Sequence, residues 1–233
     1  YKYSMAFGLP FISGKDSMKN DSIIEGVKVS IPPTLMVTVV AKMNDVRRVV
    51  TMDLKRPGDL VYIVGETFDE VGGSEYYRLM GEKIRGKEYV GNKAPKVRAN
   101  SAKAIYKRMS NATEKGLVHS IHTPTKGGLA VALAQVAIAG GYGMEISLER
   151  VPYSGIRRDD FVLFSESNSR FAVTVPRQKK EEFERVMKGN ICAHVGSVIE
   201  KPMLRIIGFG GGVTIQANLE ELKNAWEATL EDA

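Results

Sequence analysis

Three polar loops hold the residue types that could do chemistry. They are Ser13-Gly14-Lys15-Asp16-Ser17, His122-Thr123-Pro124-Thr125-Lys126-Gly127-Gly128 and Ser165-Glu166-Ser167-Asn168-Ser169-Arg170. Each follows a strand-like apolar segment. Glycines let backbone N–H groups come close to an anion, and a helix N-terminus adds positive potential for phosphate. In open α/β sheets, ligands gather beyond the carboxyl ends of strands. The second loop opens directly onto the apolar helix expected over 129–139, so it is the best-placed anion candidate. Asp16 offers either a metal-binding carboxylate or a turn residue. No loop matches a phosphate-binding P-loop: Gly14-Lys15 is followed by Asp and lacks the upstream glycine, and G-x-G-x-x-G is absent. Gly208-Phe209-Gly210-Gly211-Gly212 lies between strand-like segments and reads as a hairpin or flexible loop.

The remaining reactive types read as structural. His122, at a strand end, is either a base or a satisfied structural group. His119 and His122 would face one way on a helix, but the local pattern is a strand, which puts them on opposite faces. Glu166 and Arg170 either serve a ligand or pair with each other and pin their loop. Cys192 sits in an apolar strand context, where an inert buried thiol is the default.

Composition narrows the class further. The chain has 233 residues, 43% hydrophobic and 26% charged, with a formal charge of +6 and a pI near 9.3. These are values for a soluble globular chain. Its lysines and arginines are scattered and form no basic stripe interleaved with aromatics, which argues against nucleic acid. A modest positive field suits small anions such as phosphates. One cysteine excludes an intramolecular disulfide, and three histidines beside it exclude a cysteine-rich zinc site. No apolar run approaches the roughly 18 residues of a membrane span. The start, Tyr1-Lys2-Tyr3-Ser4, lacks the apolar region of a signal peptide. The expectation is therefore a cytoplasmic protein without membrane contact. Tyr1 in place of an initiator Met suggests a processed product or an excised piece.

The elements that must position these loops are legible from periodicity. Gly8-Leu9-Pro10 stops a short helix. Val27, Val29 and Ile31 alternate weakly. Thr34–Ala41 is a continuous β-branched apolar run, expected as a buried strand. Lys55-Arg56-Pro57-Gly58-Asp59 is the candidate domain boundary. An α/β pattern follows, with strands expected at 60–65, 117–122, 144–148, 171–175, 192–199 and 203–207. Helices are expected at 75–80, 99–116, 129–139, 179–187 and 218–228. Ala102, Ile105, Met109 and Ala112 mark the apolar face of the second helix, and Trp226 is expected on the apolar side of the last.

These segments, in this order, resemble phosphoribosylformylglycinamidine synthase, the amidotransferase-linked ligase of purine biosynthesis. The matching stretches are GLPFISGKDSMKND (8–21), IPPTLMVT (31–38), VTMDLKRPGDLVYIVGET (50–67), VGGSEYY (71–77), HTPTKGGLAVALAQVAIAGGYG (122–143) and LFSESNSRFAVTV (163–175). The resemblance implies a member of the aminoimidazole-ribotide-synthetase-like superfamily, with an α/β (α+β) fold. It implies that residues 1–55 are the tail of a ferredoxin-like ATP-binding domain with a linker, and 56–233 a C-terminal α/β domain. It further implies ATP and Mg²⁺ as cofactors, and as partners the remaining half of the synthase with a glutaminase domain or subunit. Gly14, Thr125, Gly127 and Gly128 fall at nucleotide-binding positions. Ser17, Glu166, Ser167 and Asn168 fall at substrate-binding positions, and Asp16 at a metal position. The second loop usually reads H-D-x-S-D-G-G in this family. Here Thr123, Thr125 and Lys126 stand instead, so a metal carboxylate is lost and a cation takes its place. The alternative is a non-catalytic nucleotide-binding or assembly module of the same superfamily. The catalytic histidine of the other half and the glutaminase cysteine triad are not among these residues, so the chain alone is expected to be inactive.

Overall fold

The computed structural model describes residues 1–15, 20–30, 34–43 and 45–231, with side chains to residue 228. It divides into two compact units, Tyr1–Arg47 and Arg48–Ala233. The boundary falls earlier in the chain than the Lys55–Asp59 cluster. Leu54, which lies before that cluster, is buried in the core of the second unit, and its N–H donates to the Val136 carbonyl (3.3 Å).

The first unit has little core of its own. Helix α1 (Lys2–Phe7) ends at Gly8 in the left-handed conformation, as the Gly-Leu-Pro punctuation requires. Strands β1 (Ser22–Ile24) and β2 (Val27–Val29) form an antiparallel hairpin whose turn residues, Glu25 and Gly26, both have positive φ. The buried strand expected over 34–41 is absent. The described residues there are irregular and exposed, with Leu35 at 89% and Val40 at 86%. A strand apolar on both faces is stable only between neighbours that cover it, and among the described residues this unit offers no sheet beyond a three-residue hairpin.

The second unit is built on β3 (Leu60–Val64), a run of five buried residues. Alternation along β3 divides them. Val61 and Ile63 enter one hydrophobic core, and Leu60, Tyr62 and Val64 enter the other. In chain order the elements are β4 (Thr67–Phe68), α2 (Glu75–Arg85), α3 (Ala99–Glu114), β5 (Ser120–His122), α4 (Gly128–Gly140), β6 (Gly143–Ser147), β7 (Tyr153–Ser154), α5 (Asp159–Phe164), β8 (Phe171–Val175), α6 (Lys180–Met187), β9 (Cys192–Ile199), β10 (Met203–Ile207), β11 (Val213–Asn218) and α7 (Leu219–Glu231). Seven strands form one sheet in the order β11-β10-β6-β9-β3-β8-β5, parallel only between β10 and β6. The first core lies against α4, α5 and α7 through Leu129, Leu133, Val136, Val162, Leu163 and Leu219. The second lies against α3 and α6 through Ile105, Met109, Ala112, Phe183, Val186 and Met187. The expected apolar face of α3 is the buried one, and Ile105 and Met109 each contribute about 1.5–3 kcal/mol of burial. Trp226 departs from expectation: it is exposed, and Leu219 and Leu222 pack in its stead. The 208–212 segment is the hairpin turn between β10 and β11, closed by the Gly208 N–H on the Gly212 carbonyl (2.9 Å).

One consequence of the antiparallel order positions the site. β5 and β3 both run opposite to β8, with His122 paired to Ala172 and Val64 paired to Phe171. The segment after β3, the loop after β5 and the loop before β8 therefore leave the same end of the sheet.

Candidate functional site

Of the three loops singled out, the structure brings two together. Gly14 and Lys15 belong to the first unit, where a Cβ at Gly14 would meet nothing within 4 Å. Asp16 and Ser17 lie outside the described residues. The 122–128 and 165–170 loops interlock in the second unit.

The 165–170 loop runs beside residues 67–70 as an irregular ladder. Ser165 Oγ donates to the Phe68 carbonyl (2.6 Å) and accepts from the Glu70 N–H (3.2 Å). Ser167 Oγ accepts from the Phe68 N–H (3.0 Å), and the Glu166 N–H donates to the Glu70 carbonyl (3.2 Å). Both serines are fully buried. A buried polar group needs such partners, because losing them costs about 1–3 kcal/mol each. Asn168 at the tip is exposed and lines a small cavity of about 70 Å³ with Phe68, Lys96, Arg98 and Ser169.

Arg170 holds this loop from beneath. Among the described residues it is the largest fully buried side chain, and each guanidinium nitrogen donates once: Nε to the Ser167 carbonyl (2.9 Å), Nη1 to Thr67 Oγ1 (2.8 Å) and Nη2 to the Ser165 carbonyl (2.6 Å). Burial pushes its pKa down to about 10, opposed by the charges of Glu70 and Glu166. Arg170 thus pins the loop as one of the two sequence readings expected, but through carbonyls rather than through a hydrogen bond to Glu166.

Glu166 reaches the other way. Its Oε1 accepts from the Gly127 N–H (2.8 Å) and from the Glu75 N–H (3.3 Å). Gly127 is the N-cap of α4 and Glu75 opens α2, so one carboxylate faces the positive ends of two helices. The Gly128 N–H is taken by the Thr125 carbonyl (3.0 Å). Two donors that a phosphate would use at the start of α4 are therefore engaged within the chain. Thr123, Thr125 and Lys126 are exposed, and Lys126 lies 3.3 Å from Glu75, whose carboxyl is held below its ordinary value by Arg78 and then Lys126. Gly128 has φ +65°, and a Cβ there would come within 2.6 Å of the Ser165 carbonyl oxygen. Only glycine permits this approach of the two loops.

His122 and His119 make structural contacts. His122 Nε2 meets Gln135 Oε1 (2.8 Å), and His119 Nδ1 meets the buried Asp59 carboxylate (2.6 Å). Burial pushes the Cys192 thiol up to about 12, consistent with an inert group. Sequence reasoning missed Glu70 and Arg98. Glu70 is buried, with Oε1 accepting from the Lys96 N–H (3.3 Å) and ion-paired with Arg98 (2.9 Å). Its Oε2 has no partner among the described residues. The Arg98 guanidinium stacks 3.4 Å above the Phe68 ring. A glutamate one residue before Val71-Gly72-Gly73 was the only signal available for it.

Residues 56–208 match the family described as AIR synthase related protein, C-terminal domain. The chain belongs to this family. Solved structures share the fold of this AIR-synthase-related domain. Thermotoga maritima PurL complexed with FGAR superposes with a TM-score of 0.66 at 22% identity, over 76% of this chain and 30% of that one. Phosphoribosylformylglycinamidine synthase II from Thermotoga maritima gives a TM-score of 0.59 at 22% identity, over 76% and 28%. Thermotoga maritima PurLQS gives 0.59 at 22%, again over 76% and 28%. The chain spans less than a third of the length of these relatives. Among the described residues of the domain, no group of three His, Cys, Asp or Glu side chains is arranged to hold a metal ion, and no helix is long and apolar enough to cross a membrane.

Proposed function

We propose that the chain is the C-terminal portion of a cytoplasmic phosphoribosylformylglycinamidine synthase. That ATP-dependent C–N ligase converts formylglycinamide ribonucleotide, ATP and glutamine-derived ammonia to the amidine, ADP and phosphate. The observation that carries the proposal is the interlocked pair of loops, His122–Gly128 and Ser165–Arg170, on a domain whose structural relatives include a synthase complexed with FGAR and others complexed with ATP and ADP. Residues 1–55 are read as the remnant of an ATP-binding-type domain, and 56–233 as the synthetase-like domain. The partners are the remaining half of the synthase and a glutaminase, in keeping with a relative solved as PurLQS. In this assignment Gly14, Thr125, Gly127 and Gly128 approach nucleotide, Ser17, Glu166, Ser167 and Asn168 approach substrate, and Asp16 approaches Mg²⁺. Mg²⁺ would supply charge neutralisation to phosphoryl transfer. At the 122–128 loop the chain's own contribution is the Lys126 charge and the Thr125 hydroxyl.

A second reading rests on Glu166. Its carboxylate occupies the amide of Gly127, which favours a nucleotide-independent assembly role for this half. Calorimetric titration with Mg-ATP separates the two. Binding that appears only with the complementary half present supports the ligase reading. No binding with or without that half supports the assembly role, and binding by the chain alone, unchanged by that half, supports a separate nucleotide-sensing module.

A further inference from the structure

A second cavity, of about 340 Å³, opens along β6, β9 and β10 and reaches the far end of the sheet at Leu60 and Arg177. It is lined by Ser147, Arg150, Arg177, His194, Ser197 and Glu145, among others. Arg177 follows the end of β8, whereas the 165–170 loop precedes its start. Five strand residues at roughly 3.3 Å each separate Arg177 from the 165–170 loop by about 16 Å along β8.

Two of the lining cations have no counter-charge of their own. Among the described residues neither the Arg150 nor the Arg177 guanidinium makes an ion pair or a hydrogen bond. Arg205, on the neighbouring strand β10, is engaged with Glu145 (2.5 Å). That pair neutralises the acid lining the cavity. Glu184, the acid nearest His194 on α6, accepts from the Tyr62 hydroxyl (2.8 Å). Arg150 and Arg177 therefore face a cavity whose lining carboxylate, Glu145, is paired, while Glu184 lies outside the lining and keeps its charge beside the neutral Tyr62 hydroxyl.

A backbone irregularity aims the third group. In β9 the pairing with β3 slips between Val61 and Tyr62, so that Gly196 opposes Val61 and His194 opposes Tyr62. The extra residue, Val195, turns into the first core, and His194 is left facing the cavity. His194 Nε2 donates to the Gly196 carbonyl (2.8 Å), which leaves Nδ1 for a ligand. A Cβ at Gly196 would strike the Glu145 carbonyl oxygen, so β9 and β6 approach this closely only through glycine. Burial holds the imidazole below its ordinary value, and Arg150 and Lys180 push the same way. A bound anion would relieve that repulsion.

We propose that Arg150, Arg177 and His194 form a binding site for a small phosphate-bearing ligand, distinct from the interlocked loops. Two guanidinium forks match the oxygens of a phosphate monoester and the cavity admits a metabolite-sized body, while the serines at 147 and 197 supply hydroxyls.

The test is a titration of the full chain with inorganic phosphate, followed by the ring resonances of His194. A saturable shift is expected. Arg150→Ala and Arg177→Ala should each weaken it by roughly tenfold, as expected for loss of a charge-assisted pair, with Lys at either position losing less. Both arginines are exposed, so thermal unfolding midpoints should stay near wild type. If an Ala variant does not fold, Arg150→Gln or Arg177→Gln removes the same charge and should weaken binding by a similar factor. No saturable shift at His194, or equal affinity in wild type and both arginine variants, would overturn the proposal. So would binding abolished by Lys126→Ala and untouched by the arginine changes, because that places the ion at the 122–128 loop.

Discussion

Replacing Arg170 with methionine is expected to destabilise the second unit by about 3–5 kcal/mol, the range for removing one member of a buried charged network. The side chain is fully buried and remains protonated at neutral pH even with its pKa pushed down to about 10. Methionine fills much of the volume, so the loss is mainly polar. The Ser165 and Ser167 carbonyls and the Thr67 hydroxyl would each lose a donor, and the nearby Glu70 and Glu166 carboxylates would lose their buried counter-charge. Lysine would restore the charge but not the three-way fork, so Arg170→Lys should recover only part of the loss. Urea unfolding of the three proteins measures this. A methionine variant within about 1 kcal/mol of wild type would show that the loop is held by its serine ladder alone.

Gly128→Ala is the second large effect. The residue sits at φ +65°, where an L side chain is strained by about 1–3 kcal/mol, and its Cβ would press within 2.6 and 2.8 Å of the Ser165 and Leu163 carbonyl oxygens. Relieving that overlap means moving the 165–170 loop away from α4, at a further 1–3 kcal/mol or so typical of overpacking. A loss of roughly 2–6 kcal/mol is expected. Amide exchange should rise at Gly127 and Glu75, the two N–H groups that share the Glu166 carboxylate. Gly141→Ala serves as comparison: its φ is +72°, yet a Cβ there meets nothing within 4 Å, so it carries the backbone strain without the clash. Equal losses at the two positions would mean that loop contact contributes nothing.

Residue pattern reached the second unit well. The short apolar run at 60–65 read as a strand and forms β3, buried along its length, and α3 announced its buried face at three- to four-residue spacing. The same pattern failed at Thr34–Ala41, because periodicity reports what a segment would bury and not whether neighbours exist to bury it. The composition of the 122–128 and 165–170 loops marked them as special. Their meeting was not visible, since it depends on β5 and β8 running antiparallel, a long-range pairing that no local spacing encodes. The use of Glu166 as an internal cap for two helices was hidden for the same reason: Glu75, Gly127 and Glu166 are distant in the chain. Arg170 was visible as one cation in a polar loop, but burial inverted its meaning from surface pairing to structural centre. Arg150, Arg177 and His194 carry no local signal, since they are distant in the chain and only the fold brings them to one cavity, with the β9 slip aiming His194 into it.

The most direct measurement of the central claim is phosphate release from ATP in the presence of formylglycinamide ribonucleotide and ammonia, with the chain alone and with the complementary portion of the synthase supplied. The predicted result is no substrate-dependent release by the chain alone and restored release in the completed enzyme. Robust substrate-dependent turnover by the chain alone, or a completed enzyme that gains nothing from it, would contradict the assignment.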